Sequence, residues 1–131
     1  EIKMTDSRLL DSSAWLSYFY ADNKEIKSII ESDSILLTSS ISIFEIKKKL
    51  MKDKIEISKV ERIIEFIKKR SLIINIDFLI ADAAVNFAIK NNLATIDALI
   101  YSAAKKNNSI LITLDNDFRN LNDVMILNHE K

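Results

Sequence analysis

Residues 109–118 read Ser-Ile-Leu-Ile-Thr-Leu-Asp-Asn-Asp-Phe, a short apolar run that ends in two acids. An apolar run without alternation is typical of a strand buried on both faces of a parallel sheet. In open parallel sheets, ligands bind beyond the carboxyl ends of the strands. The stretch therefore predicts a buried strand over residues 109–113 and a candidate binding position at Asp115 and Asp117.

Similar runs recur along the chain. They predict strands over residues 8–10, 34–38, 71–75 and 124–127, the last of them at a sheet edge. Apolar residues at helical spacing lie between the runs, with a pair of helices over 40–53 and 58–70. Strand and helix in alternation indicate right-handed crossovers and a parallel sheet. We therefore predict an α/β fold, a mostly parallel sheet of four to five strands covered by helices, in one domain over residues 1–131.

The composition excludes several kinds of chemistry. The chain has 131 residues, 48% of them hydrophobic, enough for one core. It has no Cys and one His, His129, so thiolate sites are excluded and catalytic triads are disfavoured. It has no Gly, which excludes glycine-dependent phosphate loops and leaves turns to pairs such as Asn91-Asn92 and Asn107-Asn108. Chemistry must rest on carboxylates, hydroxyls, Lys and Arg, and we interpret His129 as part of a frayed tail.

Neither the N-terminal segment nor the most apolar stretch of the chain indicates a membrane protein. The first twenty residues mix charges with short apolar runs and do not resemble a secretory signal. The most apolar stretch, residues 72–89, is interrupted by four polar residues. We expect a soluble protein of the cytoplasm, with no membrane partner.

Acidic residues from distant parts of the chain fall at one edge of this sheet. Asp11 follows the first strand, and Asp115 follows the fourth. Glu45 lies near the start of the helix after the second strand, and Asp97 near the start of the helix before the fourth. Crowded carboxylates repel each other unless a cation neutralises them, and a set without His or Cys suits Mg²⁺ or Mn²⁺. Because these ions bind phosphate oxygens and acidify water, the cluster predicts metal-dependent phosphodiester chemistry.

Each acid also has a purely structural interpretation. Asp11 or Ser12 is a candidate N-cap for the helix that follows. Residues 42–45 have the Ser-x-x-Glu spacing of a capping box. Thr95 is a candidate N-cap, and the helix dipole would then favour Asp97 in the first turn. An acid after the fourth strand can simply make a turn where glycine is missing.

The ordered motifs resemble those of PIN-domain ribonucleases, and among them the VapC-type toxins of toxin–antitoxin pairs. Residues 10–15 are similar to the opening Asp-Ser/Thr motif of that family, and residues 39–50 to its second motif. Residues 97–104 and 112–118 resemble the third and the fourth. The resemblance runs from about residue 8 to 127; Asn107-Asn108 stands where the family often has a glycine.

This resemblance implies a three-layer α/β/α sandwich and endoribonuclease activity that depends on Mg²⁺ or Mn²⁺ and leaves 5′-phosphate and 3′-hydroxyl ends. It also implies an RNA substrate, a homodimer and a cognate VapB-like antitoxin. By the same resemblance, the catalytic and metal-binding acids are Asp11, Glu45, Asp97 and Asp115. The auxiliary residues are Asp117, Ser12 and Thr113. Asp115 and Asp117 are interchangeable at this stage as the fourth acid.

The net charge of zero hides a strong asymmetry. Residues 47–70 contain ten basic and four acidic residues, a net +6, and the other 107 residues carry −6. A basic helical pair beside an acidic site is suited to an RNA backbone. The RNA-contact candidates are Lys47, Lys48, Lys49 and Lys52. Solubility and antitoxin docking are the alternatives for this patch.

Three other functions fit parts of the sequence. A PIN-domain nuclease of RNA processing, without an antitoxin, would carry the same acids. A phosphoacceptor receiver domain has a similar size and class, but needs paired acids after its first strand and a Lys after its fifth. A catalytically inert PIN-like scaffold would be expected to have lost at least one of the four acids, and none is missing here.

Overall fold

The computed structural model describes residues 7–21 and 23–128. Its strands are β1 (Arg8–Leu10), β2 (Leu36–Ser39), β3 (Leu72–Ile74), β4 (Ile110–Thr113) and β5 (Val124–Ile126). Its helices are α1 (Ser12–Tyr20), α2 (Lys24–Ile30), α3 (Ser40–Lys52), α4 (Ile57–Arg70), α5 (Phe78–Lys90) and α6 (Thr95–Lys106), with a 3₁₀ turn at Asn116–Phe118. None of these helices is long and apolar enough to span a membrane. His129 lies outside the described residues.

The strands form one parallel sheet in the order β3-β2-β1-β4-β5. The chain builds outward from β1 to β3, then returns to the other side of β1 for β4 and β5. The order therefore reverses between β1 and β4, which is where open α/β sheets bind ligands. A receiver domain has the order 2-1-3-4-5, so that interpretation is wrong.

Two hydrophobic cores cover the two faces of the sheet. Leu10, Leu36 and Ile112 pack against α1 to α4 on one face. Their strand neighbours, Leu9 and Leu111 among them, pack against α5 and α6 on the other. This two-sided burial explains why the strands read as continuous apolar runs, and it confirms the three-layer α/β/α fold.

The predicted element limits are close to those observed, with one shift that has a clear cause. Strand β2 begins at Leu36 rather than at residue 34, because Ile35 is 55% exposed and lies before the sheet. It continues instead to Ser39, whose side chain is fully buried. Strand β5 lies at an edge, as predicted.

Among the described residues, asparagine occupies most of the left-handed positions that glycine would otherwise favour. Asn92 and Asn108 have φ values of 55° and 53°, as the paired asparagines suggested. Asn120 and Asp123 adopt the same region, with φ of 69° and 62°. Lys54 does so as well, with φ of 61°, and no feature of the sequence indicated it.

Candidate functional site

The ends of β1 and β4 are joined by side chains at the point where the strand order reverses. Thr113, the last residue of β4, donates its hydroxyl to Asp11 Oδ2 over 2.5 Å. The same hydroxyl accepts the backbone N–H of Asp115 over 3.0 Å. Thr113 is fully buried and Asp11 is 5% exposed, so one hydroxyl fixes both the first acid and the backbone of the fourth.

Ser13 makes a second bridge that the sequence did not indicate. Its hydroxyl donates to Asp11 Oδ1 over 2.7 Å and accepts the backbone N–H of Leu114 over 2.9 Å. The first turn of α1 is thereby tied to the end of β4. The only sequence signal was a second serine after Asp11, which is too common at helix starts to single out.

Ser12 links the opening acid motif to the second one. Its hydroxyl donates to Glu45 Oε1 over 3.1 Å. Glu45 lies in the second turn of α3 and is half-buried. The contact holds the Glu45 carboxylate toward the edge of the sheet at which β1 ends.

Within the described residues, Asp97, Asp115 and Asp117 form a tight group of carboxylates. One oxygen from each lies within 4.8 Å of the others. Asp97 is in the first turn of α6, and the other two flank the start of the 3₁₀ turn. Asp115 Oδ1 accepts the backbone N–H of Asp117 over 2.8 Å, which folds this loop back toward α6.

Asp11 and Glu45 lie outside that tight group but act on it electrostatically. Burial raises the pKa of Asp97 to about 6 from its usual 3.8, and the negative charges of Asp115, Asp117, Asp11 and Glu45 add to the shift. Burial also raises the pKa of Asp11, against the hydrogen bonds from Ser13, Thr113 and Ala14 that lower it. The negative charges of the four other acids therefore all act on Asp97.

The structural interpretations of these acids have mixed outcomes. Asp11 does cap α1, accepting the N–H of Ala14 over 3.0 Å, and still lies in the acidic cluster. The capping box at residues 42–45 is wrong, because Ser39 is the N-cap of α3 and its hydroxyl accepts the N–H of Ser42. The N-cap at Thr95 is also wrong: α6 is capped by Ala94 without a side-chain bond. Capping thus does not explain Glu45, while Asp97, in the first turn of α6, keeps a position that the helix dipole favours.

Three of the four candidate lysines line a groove beside Glu45. Lys48, Lys49 and Lys52 surround a cavity of about 390 Å³ whose wall also includes Ile96, the neighbour of Asp97. Phe44 lines it and is 64% exposed, with Lys48 Nζ 5.9 Å from the ring centre. Lys49 is paired with Asp53 over 3.3 Å. Lys47 does not line this cavity.

The donor set fits a hard divalent cation. Asp97, Asp115 and Asp117 offer only carboxylate oxygens, the ligand type of Mg²⁺ and Mn²⁺. Besides burial, which is the larger cause, the negative charges of the neighbouring acids raise the pKa of Asp97. A cation at this position would relieve that repulsion.

Comparison with known families gives the class of protein. Residues 8–124 match the PIN domain, and the chain belongs to this family. The match covers all of the acids described above. Comparison with curated proteins gives no match.

Solved structures share this fold at low sequence identity. A toxin–antitoxin complex from Klebsiella pneumoniae aligns with a TM-score of 0.74 and 24% identity, over 90% of this chain and 95% of that one. VapBC2 from Rickettsia felis, bound to promoter DNA, aligns with a TM-score of 0.78 and 16% identity, over 95% and 99%. VapC20 from Mycobacterium tuberculosis, a toxin that cleaves the sarcin-ricin loop, aligns with 0.70 and 12%, over 89% and 96%. These likenesses confirm the fold.

Proposed function

We propose that this chain is a divalent-metal-dependent endoribonuclease and the toxin of a toxin–antitoxin pair. The observation that carries the proposal is the close group of Asp97, Asp115 and Asp117 at the point where the strand order reverses, with Asp11 and Glu45 near enough for their charges to raise the pKa of Asp97. Membership of the PIN family and the likeness to VapC and VapBC structures support it. The acidic cluster lies at the ligand-binding position of the sheet, in a member of the PIN family. This combination favours nuclease chemistry over a structural role.

Asp97, Asp115 and Asp117 are proposed to hold the cation, with Asp11 and Glu45 in the surrounding shell. A bound Mg²⁺ or Mn²⁺ would supply positive charge for phosphate oxygens and would acidify water. Thr113 and Ser13 hold Asp11 in one orientation through both of its carboxylate oxygens. Ser12 orients Glu45 through one of its carboxylate oxygens. Asp115 and Asp117 are both proposed as ligands, since both belong to the tight group.

The groove beside Glu45 is proposed to bind the RNA backbone. Lys48 and Lys52 lie exposed along it, so their charges are available to phosphates. Exposed Phe44 adds a surface on which an unpaired base can stack. Lys49 contributes less free charge because of its pair with Asp53, and Lys47, outside the groove, is the weakest of the four candidates.

The proposed partners are a VapB-like antitoxin and a second copy of the chain. VapBC and FitAB complexes among the similar structures support an antitoxin. Helix α5 exposes Phe78 and Ile89, 77% and 80% accessible, which favours a protein contact on that side. Light scattering with gel filtration tests the dimer: we expect twice the chain mass, and a monomer for Ile89→Glu. A toxin of this kind would act in the cytoplasm.

A cleavage assay tests the nuclease activity. Purified protein is incubated with end-labelled single-stranded RNA in Mn²⁺, in Mg²⁺ and in excess EDTA. We expect internal cuts with either ion, none with EDTA, and 5′-phosphate ends on the products. An inert scaffold would bind no Mn²⁺ in calorimetry and cut nothing. If the protein cuts RNA but cells tolerate its expression without an antitoxin, it would be an RNA-processing enzyme.

A further inference from the structure

A second cavity borders the acids at Asp117, whereas the lysine groove borders them at Glu45. It has a volume of about 490 Å³ and is lined by residues 91–94, Asp117, Arg119, Asn120 and Leu121. That volume falls within the range of small-ligand sites, roughly 300–1,000 Å³. None of the site residues predicted from the sequence accounts for it, except Asp117.

The cavity is continuous with the acidic cluster. Asp117 forms part of its wall and is also one of the three mutually close acids. Ala94, another wall residue, is the N-cap of α6, which carries Asp97 in its first turn. A molecule in this cavity would therefore lie beside a phosphate bound at the acids.

Unused hydrogen-bonding groups line the walls. The exposed side-chain amides of Asn91, Asn92 and Asn120 make no hydrogen bond within the described part of the chain. Arg119 donates Nη1 to the backbone oxygen of Asn116 over 3.0 Å, which leaves most of its planar fork available. Buried Leu93 supplies an apolar surface.

This combination suits one unpaired nucleotide. Carboxamides read the hydrogen-bonding edges of bases, and arginine pairs with phosphate in a planar fork. Sequence-specific recognition of RNA targets single-stranded bases that can be turned out of a stack. The acids themselves would repel a second phosphate, so a cation such as Arg119 on the far wall is needed to hold the next one.

We propose that this cavity binds the nucleotide that flanks the scissile phosphate, with Asn91 and Asn120 on the base edge and Arg119 on the following phosphate. The site rests on the proposed ribonuclease function and would set its sequence preference. Together with the lysine groove, it would place the RNA along the acidic cluster, with backbone contacts beside Glu45 and base contacts beside Asp117.

Nuclear magnetic resonance tests binding separately from cleavage. ¹⁵N-labelled protein is titrated in Mg²⁺ with adenosine, guanosine, cytidine and uridine 5′-monophosphate. We expect at least one of them to shift the side-chain amide signals of Asn91 and Asn120, and the shift to be lost in Arg119→Gln. No shift with any of the four would overturn the proposal. Such shifts in a protein that cuts no RNA would support the cavity and reject the proposed nuclease.

Cleavage of a randomised RNA pool tests specificity. The variants are Asn91→Ala, Arg119→Gln and Asn120→Gly, the last because glycine keeps the φ of 69°. The matched controls on exposed helix surfaces are Asn86→Ala and Arg62→Gln. We expect roughly 5- to 100-fold loss of base discrimination at one position next to the cut, with Mn²⁺ affinity unchanged, and no change in the controls. An unaltered cut profile in all three variants would refute the proposal that this cavity binds a nucleotide. The proposal would also be refuted if these variants left the cut profile unaltered and released a protein partner.

Discussion

The Thr113 hydroxyl donates to Asp11 Oδ2 over 2.5 Å, joining two residues 102 positions apart. The bond joins the carboxyl ends of the paired strands β1 and β4, where the strand order reverses. Since Thr113 also accepts the N–H of Asp115, one buried hydroxyl sets the spacing between acids from two strands. The geometry of the site thus depends on a group that carries no charge.

Replacing Thr113 by Val is expected to reduce metal binding as well as stability. The variant keeps the shape but removes the donor to buried Asp11, a loss of about 1–3 kcal/mol in the free energy of unfolding. We expect Mn²⁺ affinity to fall roughly 10- to 100-fold, as for other groups that orient metal ligands. Calorimetry with Mn²⁺ and urea unfolding measure the two effects.

Thr38→Val is the matched control for this variant. Thr38 is a fully buried threonine of β2, and its hydroxyl binds Trp15 Nε1 and the Ser71 hydroxyl, not an acid. We expect a comparable loss of stability with Mn²⁺ affinity preserved. Equal Mn²⁺ affinities in the two variants would mean that Thr113 does not organise the site.

Asp97→Asn is expected to abolish most cleavage while stabilising the metal-free protein. Loss of a proposed ligand should slow RNA cleavage by at least about 100-fold, more than loss of a group that only orients a ligand. Removing one of five mutually repelling charges should raise the midpoint of urea unfolding in EDTA. Asp82→Asn, an exposed acid of α5, is the control and should change neither quantity. Wild-type cleavage in Asp97→Asn would remove Asp97 from the site.

The raised pKa of Asp97 gives the site a pH dependence. Its pKa is about 6 in the folded protein against 3.8 ordinarily. The folded, metal-free chain therefore binds more protons than the unfolded chain between these values, and this group costs stability above pH 6 that is recovered as the pH falls toward 4. Mn²⁺ affinity changes in the opposite direction and should decrease as the pH falls through 6.

Urea unfolding in EDTA at pH 7.5 and pH 5.0 isolates this effect. The stability advantage of Asp97→Asn over the wild type should be larger at pH 7.5, where the wild-type carboxylate is charged. If the advantage is the same at both pH values, Asp97 does not titrate in this range.

The double variant Lys48→Gln/Lys52→Gln is expected to weaken RNA binding without changing Mn²⁺ affinity. Two phosphate contacts to a single strand contribute about 1.4 to the slope of log affinity against log salt concentration. Binding of a labelled oligoribonucleotide across a salt series should show a slope shallower by that amount. Lys68→Gln/Lys69→Gln, the same charge change at the end of α4, should leave the slope intact; an equal change in both would indicate a general charge effect.

The fold and the approximate position of the site could be predicted from the sequence for a simple physical reason. Strands buried on two faces must be continuously apolar, and the carboxyl ends of parallel strands share an edge. Asp11 and Asp115 could therefore be placed together before any coordinates. The left-handed φ of Asn92 and Asn108 could be predicted as well, because few residues other than Gly tolerate this conformation.

Features set by loop geometry could not be predicted in this way. The resemblance indicates Asp117 as an auxiliary acid, but its place in the tight group depends on the 3₁₀ turn, where its backbone N–H donates to Asp115 Oδ1. The bridge through Ser13 depends on the distance between the first turn of α1 and the end of β4. The cavity beside Arg119 is formed by two loops, and no periodicity encodes their approach.

Anomalous X-ray diffraction from crystals grown with millimolar Mn²⁺ at pH 7.5 tests the central claim most directly. We expect a manganese peak within bonding distance of carboxylate oxygens of Asp97, Asp115 and Asp117, and its loss in Asp97→Asn. Crystals of the wild-type protein that bind manganese elsewhere, or not at all, would contradict the assignment of this cluster as the metal site of a nuclease.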